Sequence, residues 1–207
     1  MSSLFCISPQ FVLASASPRR RALLEHTGLA FTTTTSPVDE TLHAPHTPDA
    51  AVQTLARRKV RPVAQSHPAA LVLAADTVVA HDGDILTKPE DAAHARAMLR
   101  RLSGTTHTVH TGLALAHTAS EREVTRVETT TVALASLSGS EIRAYVESGS
   151  PMDKAGGYGI QDHTAPFFVK QIKGDYFNVV GLPLRCLYST LHQSFGDLLD
   201  SPTAAQP

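Results

Sequence analysis

The sequence predicts an α/β fold with a mixed central β-sheet flanked by helices. Three observations carry that expectation. Short apolar runs alternate with amphipathic stretches along most of the 207 residues, and strands interleaved with helices are the signature of this class. One run, LVLAADTVVAH at 71–81, is apolar almost throughout, as a strand covered on both faces must be. Two long alternating stretches, HTVHTGLALAH and EVTRVETTTVALASL, follow each other after a short connection. They read as antiparallel neighbours, which makes the sheet mixed.

Taken in order, FVLA at 11–14 reads as a buried strand. SASPRR follows, and a Ser directly ahead of a Pro opens a helix, because Ser caps it and Pro is tolerated in the first turn. RALLEHTGL is then helical, with Leu23 and Leu24 inward and Gly28 at its C-terminal end. AFTTTT is strand-prone through its threonines. The turn-rich SPVDETLHAPHTPD leads into a second helix over 50–67, which Pro62 is expected to end or kink. After the strand at 71–81 come a DG turn, a short strand, and a helix opening at KPED with Met98, Leu99 and Leu102 inward. Ser138, three residues ahead of Glu141, forms a capping box for LSGSEIRAYVES. FFVKQI is a strand, KGDYFNVVG a turn, and LPLRCLYSTLHQSFGDLL a closing amphipathic helix. Residues 11–198 are expected to form one domain, with 1–10 an N-terminal extension and 199–207 a frayed tail.

Lys and Arg number 18 against 19 Asp and Glu, a net charge of -1. That balance excludes a duplex-coating protein, whose affinity comes from neutralising many phosphates, so polymeric nucleic acid is not an expected partner. A small anionic ligand remains open, since a few cations gathered at one place leave little trace in a sum. No segment approaches the roughly 18 apolar residues of a membrane span, and MSSLFCISPQ lacks the basic start of a signal peptide. Cys6 and Cys186 could pair only if the termini meet, and buried reduced thiols are the expectation. These features together predict a cytoplasmic protein with no membrane partner.

The chemistry concentrates in a few places. LASASPRRR is a strand-to-helix junction, where backbone N–H groups and the helix dipole favour an anion. It adds the Ser15 and Ser17 hydroxyls and three consecutive arginines, Arg19, Arg20 and Arg21. Arginines in a first turn oppose the dipole, so a bound anion would account for them. Asp76 interrupts an apolar strand, where a carboxylate is costly unless it is paired, binds a metal or faces a cleft. Metal ligand, general base and turn cap are all compatible with that position. Glu40, Lys59, Lys88, Asp153 and Lys154 supply further charges for a divalent cation and a polyphosphate. The glycines of GGYGIQ permit close backbone approach, and Gln161 carries both a donor and an acceptor with which to read a base edge. His107 and His110, three apart in a strand, face opposite sides and form no simple metal pair.

In combination, LASASPRRRALL, VDE, LARRK, LAADTVV, the Lys of KP, LSGTTHTVHTG, DKAGGYGIQ and NVVGLPL resemble the Maf family of nucleoside triphosphate pyrophosphatases. The resemblance covers most of residues 11–185. It implies an elongated body like that of inosine triphosphate pyrophosphatases, two lobes around a cleft, a homodimer and a divalent metal, Mg2+ or Mn2+. It implies hydrolysis of a nucleoside triphosphate to the monophosphate and pyrophosphate. Asp76 matches the family's proton acceptor and, with Glu40, the metal-holding acids. Ser15, Arg19, Arg20, Lys59 and Lys88 match the groups that line the triphosphate. Arg19, Thr77 and Gln161 match the specificity positions of the branch acting on dTTP and UTP. Family members are also linked to arrest of division or septum formation, which leaves a nucleotide-binding regulator as the alternative. Two positions depart from the pattern: Ser150 stands where an acidic residue is usual, and Asp162 where glycine is usual.

Overall fold

The computed structural model describes residues 4–41 and 46–201. In chain order its first half contains Cys6–Ile7 (β1), Phe11–Ala14 (β2), Pro18–Glu25 (α1), Thr32–Thr34 (β3), Pro48–Ser66 (α2), Leu71–His81 (β4), Asp84–Leu86 (β5) and Ala92–Leu102 (α3). Thr106–His117 (β6), Arg122–Leu134 (β7), Gly139–Glu147 (α4), Ala165–Phe168 (α5), Val169–Lys173 (β8), Tyr176–Val180 (α6), Leu184–Phe195 (α7) and Leu199–Asp200 (β9) follow. The main sheet has the order β3-β2-β4-β6-β7-β8, with β5 paired to β4. β2 runs parallel to both β3 and β4, connected through α1 and α2 as parallel strands require. β4–β5 and β7–β8 are antiparallel, so the sheet is mixed, as expected.

Several local expectations hold for the reasons given. Ser17 caps α1 with Pro18 in its first turn, the Ser138–Glu141 capping box opens α4, and Asp82 and Gly83, at φ 50° and 84°, make the tight turn between β4 and β5. The KPED start of α3 is borne out: Asp91, the last of those residues, takes the cap, its carboxylate accepting the His94 N–H at 2.7 Å, and the helix runs from Ala92. Others need correction. α2 starts at Pro48 and runs through Pro62 to Ser66 without ending there. Val63 and Ala64, beyond the proline, are buried with Val60 against Val12 and Val72, and that packing outweighs the one backbone hydrogen bond a proline forfeits. The expected turn at 173–181 contains the short helix α6, and the closing helix stops at Phe195. β1 pairs with β9, so segments near both termini form a two-stranded sheet. Residues 202–207 of the expected tail, and 42–45 of the expected turn region, lie outside the described residues. Cys6 and Cys186 form no disulfide and are half-buried, less covered than expected.

The described residues form two compact units. The first takes those up to Asp76, then Gly112–Val127 and those from Gly181 onward; the second takes Thr77–Thr111 and Glu128–Val180. In the first, α2 lies on β2 and β4 through small residues, Ala56, Ala64, Ala14 and Ala74. Gly112 of β6 lies against the same helix, where a Cβ would strike the Val52 backbone. In the second, Leu99 and Leu102 of α3 and Ile142, Tyr145 and Val146 of α4 pack with Val109, Val132 and Phe168.

Candidate active site

In the first unit β4 carries Asp76 and α2 carries Lys59. The Lys59 ammonium lies 2.5 Å from Asp76 Oδ1 and 2.9 Å from Glu40 Oε1. Lys59 and Asp76 are 8% and 7% exposed, whereas Glu40 faces solvent. The helical phase explains the burial: Lys59 follows Leu55 and Ala56 at helical spacing and precedes Val63, all buried on one stripe. Ser36 donates to the Lys59 carbonyl at 2.8 Å, and Arg58 donates to the Thr41 carbonyl at 2.7 Å. These two bonds tie the segment bearing Glu40 onto α2. Removing two charges from water is costly unless each finds a close partner, and here one ammonium serves two carboxylates.

The strand-to-helix turn sits in the same unit. Ser15 Oγ accepts the Ser17 N–H at 3.1 Å, and Ser17 Oγ accepts that of Arg20 at 3.4 Å. Arg20 sends its Nε to the Gly181 carbonyl at 2.8 Å. Burial pushes the Arg20 guanidinium below its ordinary value, Asp76 and Glu40 push it back up, and Arg19 adds to the lowering. Of the cluster, the two carboxylates Asp76 and Glu40 favour the charged form of Arg20. Arg21 is different: it pairs with exposed Glu25 one turn on, at 2.8 Å. It serves the helix surface.

The other predicted residues belong to the second unit. The Thr77 and Thr111 hydroxyls are 2.9 Å apart, and Thr111 also donates to the Asn178 carbonyl at 3.1 Å. With the single Thr111 hydrogen engaged there, Thr77 is the donor in the pair. Lys88 is exposed in the segment after β5, and Gln161 is exposed in the turn after Gly159. Asp153 and Lys154 pair with each other at 2.8 Å. Residues the sequence reading passed over include Tyr145, whose hydroxyl meets this turn, and Asn178, fully buried and bonded to the Val109 carbonyl and Thr130. A tyrosine on the inward face of a predicted helix is itself a signal, since a buried hydroxyl seeks a partner.

His107 is 2% exposed, with Nε2 2.7 Å from the Tyr158 hydroxyl and Nδ1 lacking a hydrogen bond among the described residues. Burial first, and then nearby His81, lower its pKa to about 4 from 6.5. The folded chain thus resists a proton that the unfolded chain accepts. This contribution is absent above pH 6.5 and lowers stability progressively as pH falls toward 4. Between pH 7 and pH 4.5 the loss should be about 2–3 kcal/mol. Urea unfolding at both pH values checks this. His107→Gln should lose correspondingly less than wild type over the same interval; equal losses would contradict the assignment.

Among the described residues no three His, Cys, Asp or Glu side chains converge as a metal-holding group, and no helix is long and apolar enough to cross a membrane. The first unit combines a buried acid–lysine pair with an arginine-bearing strand-to-helix turn, on a mixed α/β sheet. That defines an α/β protein equipped for a phosphorylated ligand. The chain belongs to the Maf family: the family described as Maf-like protein matches residues 10–194. It is 64% identical over 204 residues to the dTTP/UTP pyrophosphatase of Salinibacter ruber, covering 99% of this chain and 100% of that one. The dTTP/UTP pyrophosphatase of Symbiobacterium thermophilum is 48% identical over 89% of this chain and 93% of its own. Among solved structures, a HAM1 protein from Coxiella burnetii aligns over 90% of this chain and 100% of its own, at 16% identity and a TM-score of 0.47.

Proposed function

We propose that this chain is a nucleoside triphosphate pyrophosphatase that hydrolyses dTTP and UTP to the monophosphate and pyrophosphate, working as a cytoplasmic homodimer. The observation that carries the reading is Asp76, a buried carboxylate held by Lys59 within the field of Arg20. The names and identities of the two relatives support the substrate class. Asp76 orients a water and takes its proton as the oxygen attacks the α-phosphorus. The bond from that phosphorus to the bridging oxygen breaks, and pyrophosphate leaves. Arg19, Arg20, Lys59 and Lys88 offset charge on the phosphates as it moves to the leaving group, and Ser15 donates to a phosphate oxygen. Preorganised charge of this kind is commonly the largest contribution to catalysis. Glu40 and Asp76 already converge on one cationic atom, Lys59 Nζ, and two carboxylates completed by phosphate oxygens suit a hard divalent cation. They would hold Mg2+ or Mn2+, which supplies Lewis-acid charge at the phosphate oxygens. Arg19, Thr77 and Gln161 select the pyrimidine base, with Gln161 reading its edge.

The test is product release across a nucleotide panel with and without Mg2+. Pyrophosphate and the monophosphate should appear, fastest from dTTP and UTP; orthophosphate as the first product would reject attack at the α-phosphorus. Gln161→Ala should reduce the preference for dTTP and UTP by more than it reduces turnover.

A further inference from the structure

Gln161 occupies a turn whose two ends are held by one phenol. The Tyr145 hydroxyl accepts the Gly159 N–H at 3.0 Å and donates to the Asp162 carboxylate. Asp162 N–H in turn donates to the Gly159 carbonyl at 3.2 Å, so Gly159 and Asp162 open and close the turn and Gln161 stands inside it. A hydroxyl has one hydrogen to give, and Tyr145 spends it on this turn. The phenol is 3% exposed and stacks edge-on against Phe168, with ring centroids 5.1 Å apart. It therefore fixes the turn to the packed face of α4. Burial, and then the bond to Asp162, push the Tyr145 phenol above its ordinary value, which keeps the donor hydrogen in place. On the other side Lys154 Nζ lies 3.6 Å from Asp162 Oδ1 and donates to the Ser150 carbonyl at 2.5 Å. A Cβ on Gly159 would come within 2.4 Å of the Lys154 side chain and 2.7 Å of Asp162 Oδ1, so both side chains would have to shift to admit one. The acceptor for Tyr145 comes from the position where this sequence departs from the usual glycine.

We infer that Tyr145 and Asp162 are specificity-positioning residues: they latch the 159–162 turn so that Gln161 presents its amide to the base in one orientation. This rests on the assignment of Gln161 as the residue that reads the base. Without the latch the turn populates other arrangements, and apparent affinity falls by the fraction that remains competent. Loss of one such hydrogen bond should lower the latched-to-open ratio about five- to tenfold, and the competent fraction falls to match once the open arrangements predominate. The chemistry at Asp76 is not routed through the turn, so the effect belongs in KM and base preference.

The experiment measures kcat and KM for UTP and GTP by pyrophosphate release, on the full chain with Mg2+. Tyr145→Phe and Asp162→Ala should each raise KM for UTP about five- to tenfold, lower the UTP-over-GTP preference to match, and lower kcat less than threefold. Asp162→Asn keeps an acceptor oxygen and should retain most of the preference. In a Gln161→Ala background, Tyr145→Phe should add less than about twofold, because coupled groups are not additive. If Gln161→Ala loses the preference while Tyr145→Phe keeps it, or if Tyr145→Phe has its full effect without Gln161, the latch is wrong and the reading of Gln161 stands. If Gln161→Ala leaves the preference intact, the base-reading assignment fails and the latch falls with it. Should Tyr145→Phe not fold, by its urea transition, Asp162→Ala and Asp162→Asn carry the same comparison.

Discussion

Asp76→Asn should lower kcat for UTP roughly 10²–10⁴-fold, the usual contribution of a positioned general base, in a protein that still folds. Asparagine preserves the shape of the side chain and an oxygen to meet Lys59, but it cannot accept the proton of the attacking water. The Lys59 ammonium keeps a second partner in Glu40 at 2.9 Å, so it is not left as an isolated buried charge. KM should change far less than kcat, because the proposed mechanism gives the phosphates Arg19, Arg20 and Lys88 as partners as well. Steady-state pyrophosphate release, with a urea transition to verify folding, checks the expectation. Turnover within about threefold of wild type would remove Asp76 from the role of base.

Lys59→Met should be the most destabilising single change at the site. It leaves the Asp76 carboxylate, 7% exposed, without the ammonium 2.5 Å away. Removing one partner of a buried pair costs about 3–5 kcal/mol, whereas replacing both with apolar groups of similar volume is close to neutral. Lys59→Met/Asp76→Leu should therefore recover more than half of the stability that Lys59→Met loses, while remaining inactive. The midpoint of urea unfolding reads both. A Lys59→Met protein within about 1 kcal/mol of wild type would mean that water, not the lysine, satisfies Asp76.

How far the sequence could be read follows from how local each feature is. The cap at Ser17, the capping box at Ser138 and the turn at Asp82–Gly83 are set by neighbours a few residues apart, and all are visible in the chain. Asp76 stood out because a carboxylate inside an apolar strand needs an explanation. Lys59 taken alone suggests a solvated lysine, yet its spacing from Leu55, Ala56 and Val63 places it on the buried stripe of α2. That phase was legible, and so was the Arg21–Glu25 pair one helical turn apart. Pro62 misled because its local cost is real, but the burial that outweighs it comes from strands distant in sequence. The latch on Gln161 joins α4 to a turn 14 and 17 residues further on. The inward phase of Tyr145 on α4 signals a buried hydroxyl in need of a partner, but no periodicity or motif names that partner, and the resemblance offered glycine at one of the two anchors.

The central claim is that water, activated by Asp76, attacks the α-phosphorus. Hydrolysis of UTP in water enriched in oxygen-18 tests it most directly, with the products resolved by mass. The label should enter the nucleoside monophosphate, one atom per turnover, and the released pyrophosphate should carry none. Label in the pyrophosphate, or in orthophosphate, would place the attack at another phosphorus and contradict the role assigned to Asp76 and its lysine.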